Sequence, residues 1–308
     1  KEDKEGNTVV KKVRKSLRKI PTELAKILKI HAARKLEVRQ DMKKIRGQMS
    51  VDLRRKLYGI QEDQYTQDNL ALTKKAIQES KNREFDAMEE YEATMKDVSF
   101  WMTPNVWVNQ RVGLLQNLID PQNSKLHRHN VYYKDWETTF DVTPAGNSDM
   151  ETRFLLAVGQ GLGVAVDKML ITKNVSDIKA LFAEDGKYAE AVKVLQKADL
   201  ATEGTALTQA EEDIIQKAVE DAGEKYASLD ALVSYAAYKN AKANWLNSKQ
   251  TKGAKLPTFT SKLMFEVDGL SNGVALSQVM LGQPNGAGPS YGMFSEQESK
   301  EFSQNGEP

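Results

Sequence analysis

The stretch Leu263-Met264-Phe265-Glu266-Val267-Asp268-Gly269-Leu270-Ser271-Asn272-Gly273-Val274-Ala275 decides whether this chain is a plain helical body or helices built against a sheet. Its apolar run, with β-favouring Phe265 and Val267, predicts a strand; Asp268-Gly269 predicts a turn, and the segment past Gly273 can restart as a helix. One carboxylate, Asp268, then stands at a strand end. A carboxylate held by a sheet and facing a groove suits Mg²⁺, which takes few protein oxygens and leaves its other positions to phosphates and water. Asp-Gly is also a common turn pair, so the same residues fit a turn in which Asp268 only hydrogen-bonds its own backbone.

Upstream, a helix from Ser228 to Asn247 offers Leu229, Leu232, Val233, Ala236, Ala237 and Trp245 for burial and leads through Lys252-Gly253 and Pro257 into that strand. Further helices are expected from Ser148 to Val158, from Ser176 to Ala198 and from Thr208, where Thr208-x-x-Glu211 has the spacing of a capping box. Gly186 and the stretch from Asp199 to Gly204 mark surface breaks. From Val9 to Val98 the pattern is helical almost throughout. Pro21-Thr22 opens one helix, Leu24, Ile27, Leu28, Leu36 and Ile45 form an apolar stripe, and Gly47 and Gly59 are candidate breaks. Pro104 then stops the helix, Val106 and Val108 favour an extended segment, and Asp120-Pro121-Gln122-Asn123 reads as a turn. The expected class is mainly α with a small β component. Beyond Leu281, Gln283 to Pro289 reads as loop.

The 308 residues suffice for a sizeable core. Zero cysteines exclude disulfides and thiolate chemistry. No apolar run approaches the roughly 20 residues of a spanning helix, and a soluble protein is expected. The chain opens on Lys1 and stops at Pro308 without the look of natural ends, which suggests a piece of a longer protein. A net charge of +1 conceals an asymmetry: residues 1–60 hold 19 Lys and Arg against 7 acids, the rest 25 against 36. Such a basic helical arm faces nucleic acid, an anionic membrane surface or simply solvent. Lys125, His127, Arg128, His129 and Lys134 cluster near Tyr132, Tyr133 and Trp136. Cations interleaved with aromatics suit a nucleic-acid strand, and equally an ordinary polar loop over a core.

Other constellations carry less. Gly159-Gln160-Gly161-Leu162-Gly163 follows a helical pattern rather than a strand, which argues against a dinucleotide loop. His127-x-His129 would place two imidazoles on one face of a strand, but a metal site needs a third ligand and His31 is the only other histidine.

Taken together, the Arg111 and Asp268 segments resemble motifs of the single-subunit phage- and mitochondrial-type RNA polymerases. Phe100-Trp101 leads to Arg111-Val112 and Asp120-Pro121-Gln122, as that family's thumb leads into an arginine-valine strand. Asp268-Gly269-Leu270-Ser271-Asn272-Gly273 is similar to its first catalytic motif, Asp-Gly-x-x-Ser-Gly. Gly163 to Lys168 and the helix from Ser228 sit where the family has corresponding elements. The departures at Trp107 to Gln110 and Asn272 bring the chain nearer the RNA polymerases that short-tailed phages package in their virions.

The resemblance implies part of a right-hand polymerase fold. Residues 1–99 would be a basic thumb-like region, 100–145 a strand-loop region contacting template and hybrid, 146–250 a helical palm-associated region, and 251–308 the palm strand with the first catalytic Asp and a tail. It implies DNA-directed RNA synthesis by Mg²⁺-dependent nucleotidyl transfer, with Asp268 and the Gly269 carbonyl on two metals and Arg111, Lys125 and Arg128 on phosphates. Its partners would be DNA template, RNA product, ribonucleoside triphosphates and other virion or ejection proteins, in the virion and then the host cytoplasm. No fingers helix and no His-Asp-Ser turn follows Gly273, so the chain alone would be inactive. The competing readings are a non-catalytic, helical nucleic-acid-binding or structural virion protein and, less well matched, a related DNA polymerase.

Overall fold

The computed structural model describes residues 22–60, 72–95, 98–106, 112–114, 119, 121–122, 124–143, 145–146, 148–166, 170–247 and 256–264. Mostly helical, with small antiparallel sheets, it has the expected class. The front of the chain forms α1 (Thr22–Ala33), β1 (Lys35–Val38), α2 (Gln40–Gln48), α3 (Val51–Tyr58) and α4 (Leu72–Thr94). The short strands β2 (Phe100–Trp101), β3 (Pro104–Val106) and β4 (Val112–Leu114) follow, then α5 (Lys125–Asn130), β5 (Val131–Tyr133) and β6 (Thr138–Asp141). The rest is α6 (Asp149–Gly161), α7 (Ile171–Leu181), α8 (Ala189–Leu200), α9 (Gln209–Val219), α10 (Lys225–Asn247) and β7 (Thr258–Ser261).

Helix α10 is the axis of the body. Tyr226, Leu229, Ala231, Leu232, Val233, Tyr235, Ala236 and Tyr238 are all buried. These positions run around the helix rather than along one stripe, as in a helix enclosed on every side. It packs against α2, α3, α5, α6, α8, α9 and β7. Phe140, Phe154, Tyr238 and Phe259 form an aromatic cluster with ring centroids 5.2–6.5 Å apart, joining β6 and β7 to α6 and α10.

Four caps rest on local sequence chemistry. The Ser50 side chain accepts from the Leu53 amide to open α3, and Gly59 closes it at φ 76°, a left-handed conformation that costs glycine least. Capping boxes at Ser148/Glu151 and Thr208/Glu211 open α6 and α9.

Several expectations are corrected. Lys35–Val38, expected as helix, is a strand: Leu36 and Val38 are buried on one face, and β2 and β5 pair on either side of it. Four residues have little propensity of their own; the partners decide. Gly47 lies inside α2 and does not break it. The helical stretch expected from Ser176 to Ala198 is two helices, α7 and α8, parted at the break expected at Gly186, where a Cβ would collide with the Ala180 carbonyl at 2.6 Å. His127 and His129 stand on helix α5, not on a strand. The last described strand, β7, ends at Ser261, so Leu263 and Met264 lie past it, and the remainder of the opening stretch is outside the described residues. The glycines of Gly159-Gln160-Gly161 serve helix packing: a Cβ on Gly161 would stand 2.9 Å from Ala231 Cβ and 3.0 Å from the Ala227 carbonyl. No helix among the described residues is long and apolar enough to cross a membrane.

Candidate nucleic-acid interface

The three-stranded sheet, ordered β2-β1-β5, positions this face. Alternation along β1 turns Leu36 and Val38 into the core and Lys35 and Glu37 outward. Register then sets Lys35 opposite Trp101 and Glu37 opposite Tyr132. The outward row gains two more cations: Lys262 lies 4.7 Å above the Tyr132 ring and Lys134 5.8 Å. At the edge, Trp136 rests on Tyr133 with centroids 4.4 Å apart, and the Arg34 guanidinium lies 4.8 Å over Trp136.

Trp101 and Trp136 are each half exposed, at 51% and 50%. An indole left half in water while flanked by cations is a ready platform for a nucleobase, with phosphates reached by the neighbouring ammonium and guanidinium groups. Glu37 is neutralised within the face: it accepts from Ser99 and Tyr132, each at 2.9 Å, and lies 3.7 Å from the Lys134 ammonium. Burial would raise its pKa, but those hydrogen bonds and the two lysines hold it below the ordinary carboxylate value. Burial, with the Glu37 carboxylate beside it, pushes the Tyr132 phenol up to about 12.

The structure divides the cationic cluster seen in the sequence. Lys134 and Tyr132 lie on this face, whereas Tyr133, opposite Leu36, turns to the core side and carries Trp136 at the β5 edge. The Lys125 ammonium instead pairs with Glu224, both half exposed. Arg128 donates from Nε to the Pro121 carbonyl at 2.9 Å and from a terminal nitrogen to the Gln122 carbonyl at 3.0 Å, bracing the turn at Pro121-Gln122. His127 is buried, and His129 Nδ1 lies 2.9 Å from Asp230 Oδ2. Arg34, Lys35 and Lys262 were not singled out in the sequence. The alternation in Lys35–Val38 was the one local signal for Lys35; Arg34 and Lys262 reach the rings only through tertiary approach.

Past β7 the chain borders a cavity of about 280 Å³, lined among others by His129, Gly161, Gly163, Ser228, Leu263 and Met264. Asp268 and Gly269 follow a few residues on and, like Arg111, lie outside the described residues. Among the described residues no group of three or more His, Asp or Glu is placed to hold a metal ion.

Comparison with known families matches residues 23–131 to a virion DNA-directed RNA polymerase domain. Residues 151–239 match the plug insertion of virion DNA-directed RNA polymerase. Together the two matches define the class as phage RNA polymerase. The chain belongs to the virion-type RNA polymerases. No curated protein matches it. The first match takes in α1 to α5 with Arg34, Lys35, Trp101 and Arg128, and the second runs from α6 into α10.

Proposed function

We propose that this chain carries the nucleic-acid-facing region of a DNA-directed RNA polymerase that travels in the virion and works in the host cytoplasm after genome entry. The observation that carries this is the outward face of β2-β1-β5, where Trp101 stands half exposed beside Lys35 and where Lys134 and Lys262 lie over Tyr132, with a second half-exposed indole, Trp136 under Arg34, at the β5 edge. Rings accept unstacked bases without regard to sequence, and the cations follow the backbone. A single-stranded DNA template or its RNA hybrid fits this chemistry.

Arg111, Lys125 and Arg128 add phosphate contacts, Lys125 by exchanging its exposed Glu224 partner for a phosphate. Asp268, with the Gly269 carbonyl, would hold Mg²⁺, which would supply charge stabilisation for nucleotidyl transfer between RNA and a ribonucleoside triphosphate. The second metal carboxylate comes from further chain, so this segment does not synthesise RNA alone. Other virion or ejection proteins are its expected companions during entry.

The test is Mg²⁺-dependent RNA synthesis on single-stranded DNA by the complete reading frame. Asp268→Ala is expected to abolish synthesis and Trp101→Ala/Trp136→Ala to weaken template binding; undiminished synthesis by Asp268→Ala would remove that residue from the catalytic role.

A further inference from the structure

A second cationic site lies elsewhere in the fold. Between α6, α7 and α10, a cavity of about 210 Å³ is lined by Gly146, Leu155, Tyr235, Tyr238 and three lysines, Lys179, Lys239 and Lys242. Gly146 makes the close approach possible. Its φ is 61°, and a Cβ there would stand 2.9 Å from the Lys242 ammonium and 3.2 Å from the Tyr238 hydroxyl. Lys179 donates to the Gly146 carbonyl at 3.1 Å, which draws its ammonium to the rim. Tyr235, stacked on Phe182 with centroids 3.7 Å apart, forms a fixed wall.

Charge in this cup is only partly balanced by its neighbouring acid. Glu151 acts on Lys242, yet both its oxygens are already engaged. Oε1 accepts from the Thr143 amide and the Tyr238 hydroxyl, each at 2.9 Å, and Oε2 from the Ser148 amide at 3.1 Å and the Ser148 hydroxyl at 2.9 Å. Three cations therefore converge on a concave space with one saturated carboxylate behind them. Burial first, and then Lys239 and Lys179, hold the Lys242 ammonium below its ordinary pKa despite Glu151. A group so placed gains from an arriving anion.

We infer that Lys179, Lys239 and Lys242 form a phosphate-binding cup whose natural ligand is a phosphate carried by a nucleotide or by a nucleic-acid backbone. The cup shares no residue with the cation–aromatic face. Lys179 and Lys239 are exposed at its rim and Lys242 is half-buried at its base, so the rim can be changed without disturbing the core.

Titration calorimetry of inorganic phosphate into the chain, with Lys242 followed by its side-chain NMR signal, tests this. Saturable binding is expected, with the Lys242 signal moving at the same midpoint. The double variant Lys179→Gln/Lys239→Gln should bind about tenfold more weakly or worse, at unchanged circular dichroism and melting temperature, because two charge-assisted contacts are lost. Non-saturable uptake, a stationary Lys242 signal, or equal affinity in the double variant would overturn the assignment. Parallel titrations with ATP and with an oligothymidylate of eight nucleotides identify the source: tighter binding of ATP assigns a nucleotide, tighter binding of the oligomer a backbone, and equal affinity for all three a bare phosphate.

Discussion

Arg39, just ahead of α2, and Asp230, inside α10, form a buried ion pair across 191 positions of sequence. The same guanidinium holds Asp41 through a second pair of hydrogen bonds, at 3.2 and 2.6 Å. Asp230 in turn meets His129 at 2.9 Å and Ser234 at 3.3 Å. Burial by itself would lower the Arg39 pKa, but Asp230 and Asp41 outweigh it and raise it, so the arginine stays charged. One carboxylate thereby ties both family-matched segments together, since Arg39 and His129 fall in the first and Asp230 in the second.

Asp230→Ala should therefore cost about 3–5 kcal/mol, the usual loss when one partner of a buried pair is removed and the other is left uncompensated. Urea unfolding measures it. A loss under about 1 kcal/mol would mean that Asp41 alone satisfies Arg39.

Glu151 predicts a pH dependence. Burial would raise its pKa, but hydrogen bonds from Thr143, Ser148 and Tyr238 outweigh that and hold it below the ordinary 4.5. A depressed carboxylate contributes stability that is fully present above its unfolded pKa and is lost as pH falls through the folded value. Melting temperature should thus decline below about pH 4.5, and Glu151→Gln should lower the plateau near pH 7 while flattening the acid limb. An identical acid limb in the variant would assign the loss to other groups.

Trp101→Ala and Trp136→Ala should each weaken single-stranded DNA binding by about 1–3 kcal/mol, the usual contribution of one stacked base. Both rings are half exposed, so melting should change little. Lys35→Ala and Lys134→Ala should each reduce the salt dependence of binding by about one phosphate contact. Fluorescence anisotropy over a salt series reads all four, and unaltered affinity in both tryptophan variants would move the nucleic acid to another surface.

Gly161→Ala should lower stability by about 1–3 kcal/mol. At the end of α6 little helix propensity is gained, while the new Cβ meets backbone and Cβ of α10 rather than a yielding side-chain tip. Equal or greater stability in urea would show that the two helices can part without cost.

Thr208→Ala should cost about 1 kcal/mol by removing the α9 cap. The same measurement checks whether the capping box matters at an exposed helix end.

What the sequence determined by itself was local: the helices, whose 3.6-residue periodicity is written in their apolar stripes, and the caps at Ser148, Thr208 and Gly59, whose chemistry is complete within four residues. The order of the Arg111 and Asp268 motifs likewise sufficed to indicate the family, because a motif is a run of neighbours. Tertiary structure decided whatever depends on approach between distant residues. Lys35–Val38 is a strand because Phe100–Trp101 and Val131–Tyr133 offer it hydrogen bonds from both sides. Lys125, Arg128 and His129 leave the aromatic cluster because Glu224, the Pro121 and Gln122 carbonyls and Asp230 stand nearer to them. Arg34, Lys35 and Lys262 join the rings for the same reason. A cation's partner is set by a separation of a few ångströms in the folded chain, and no local pattern encodes that distance.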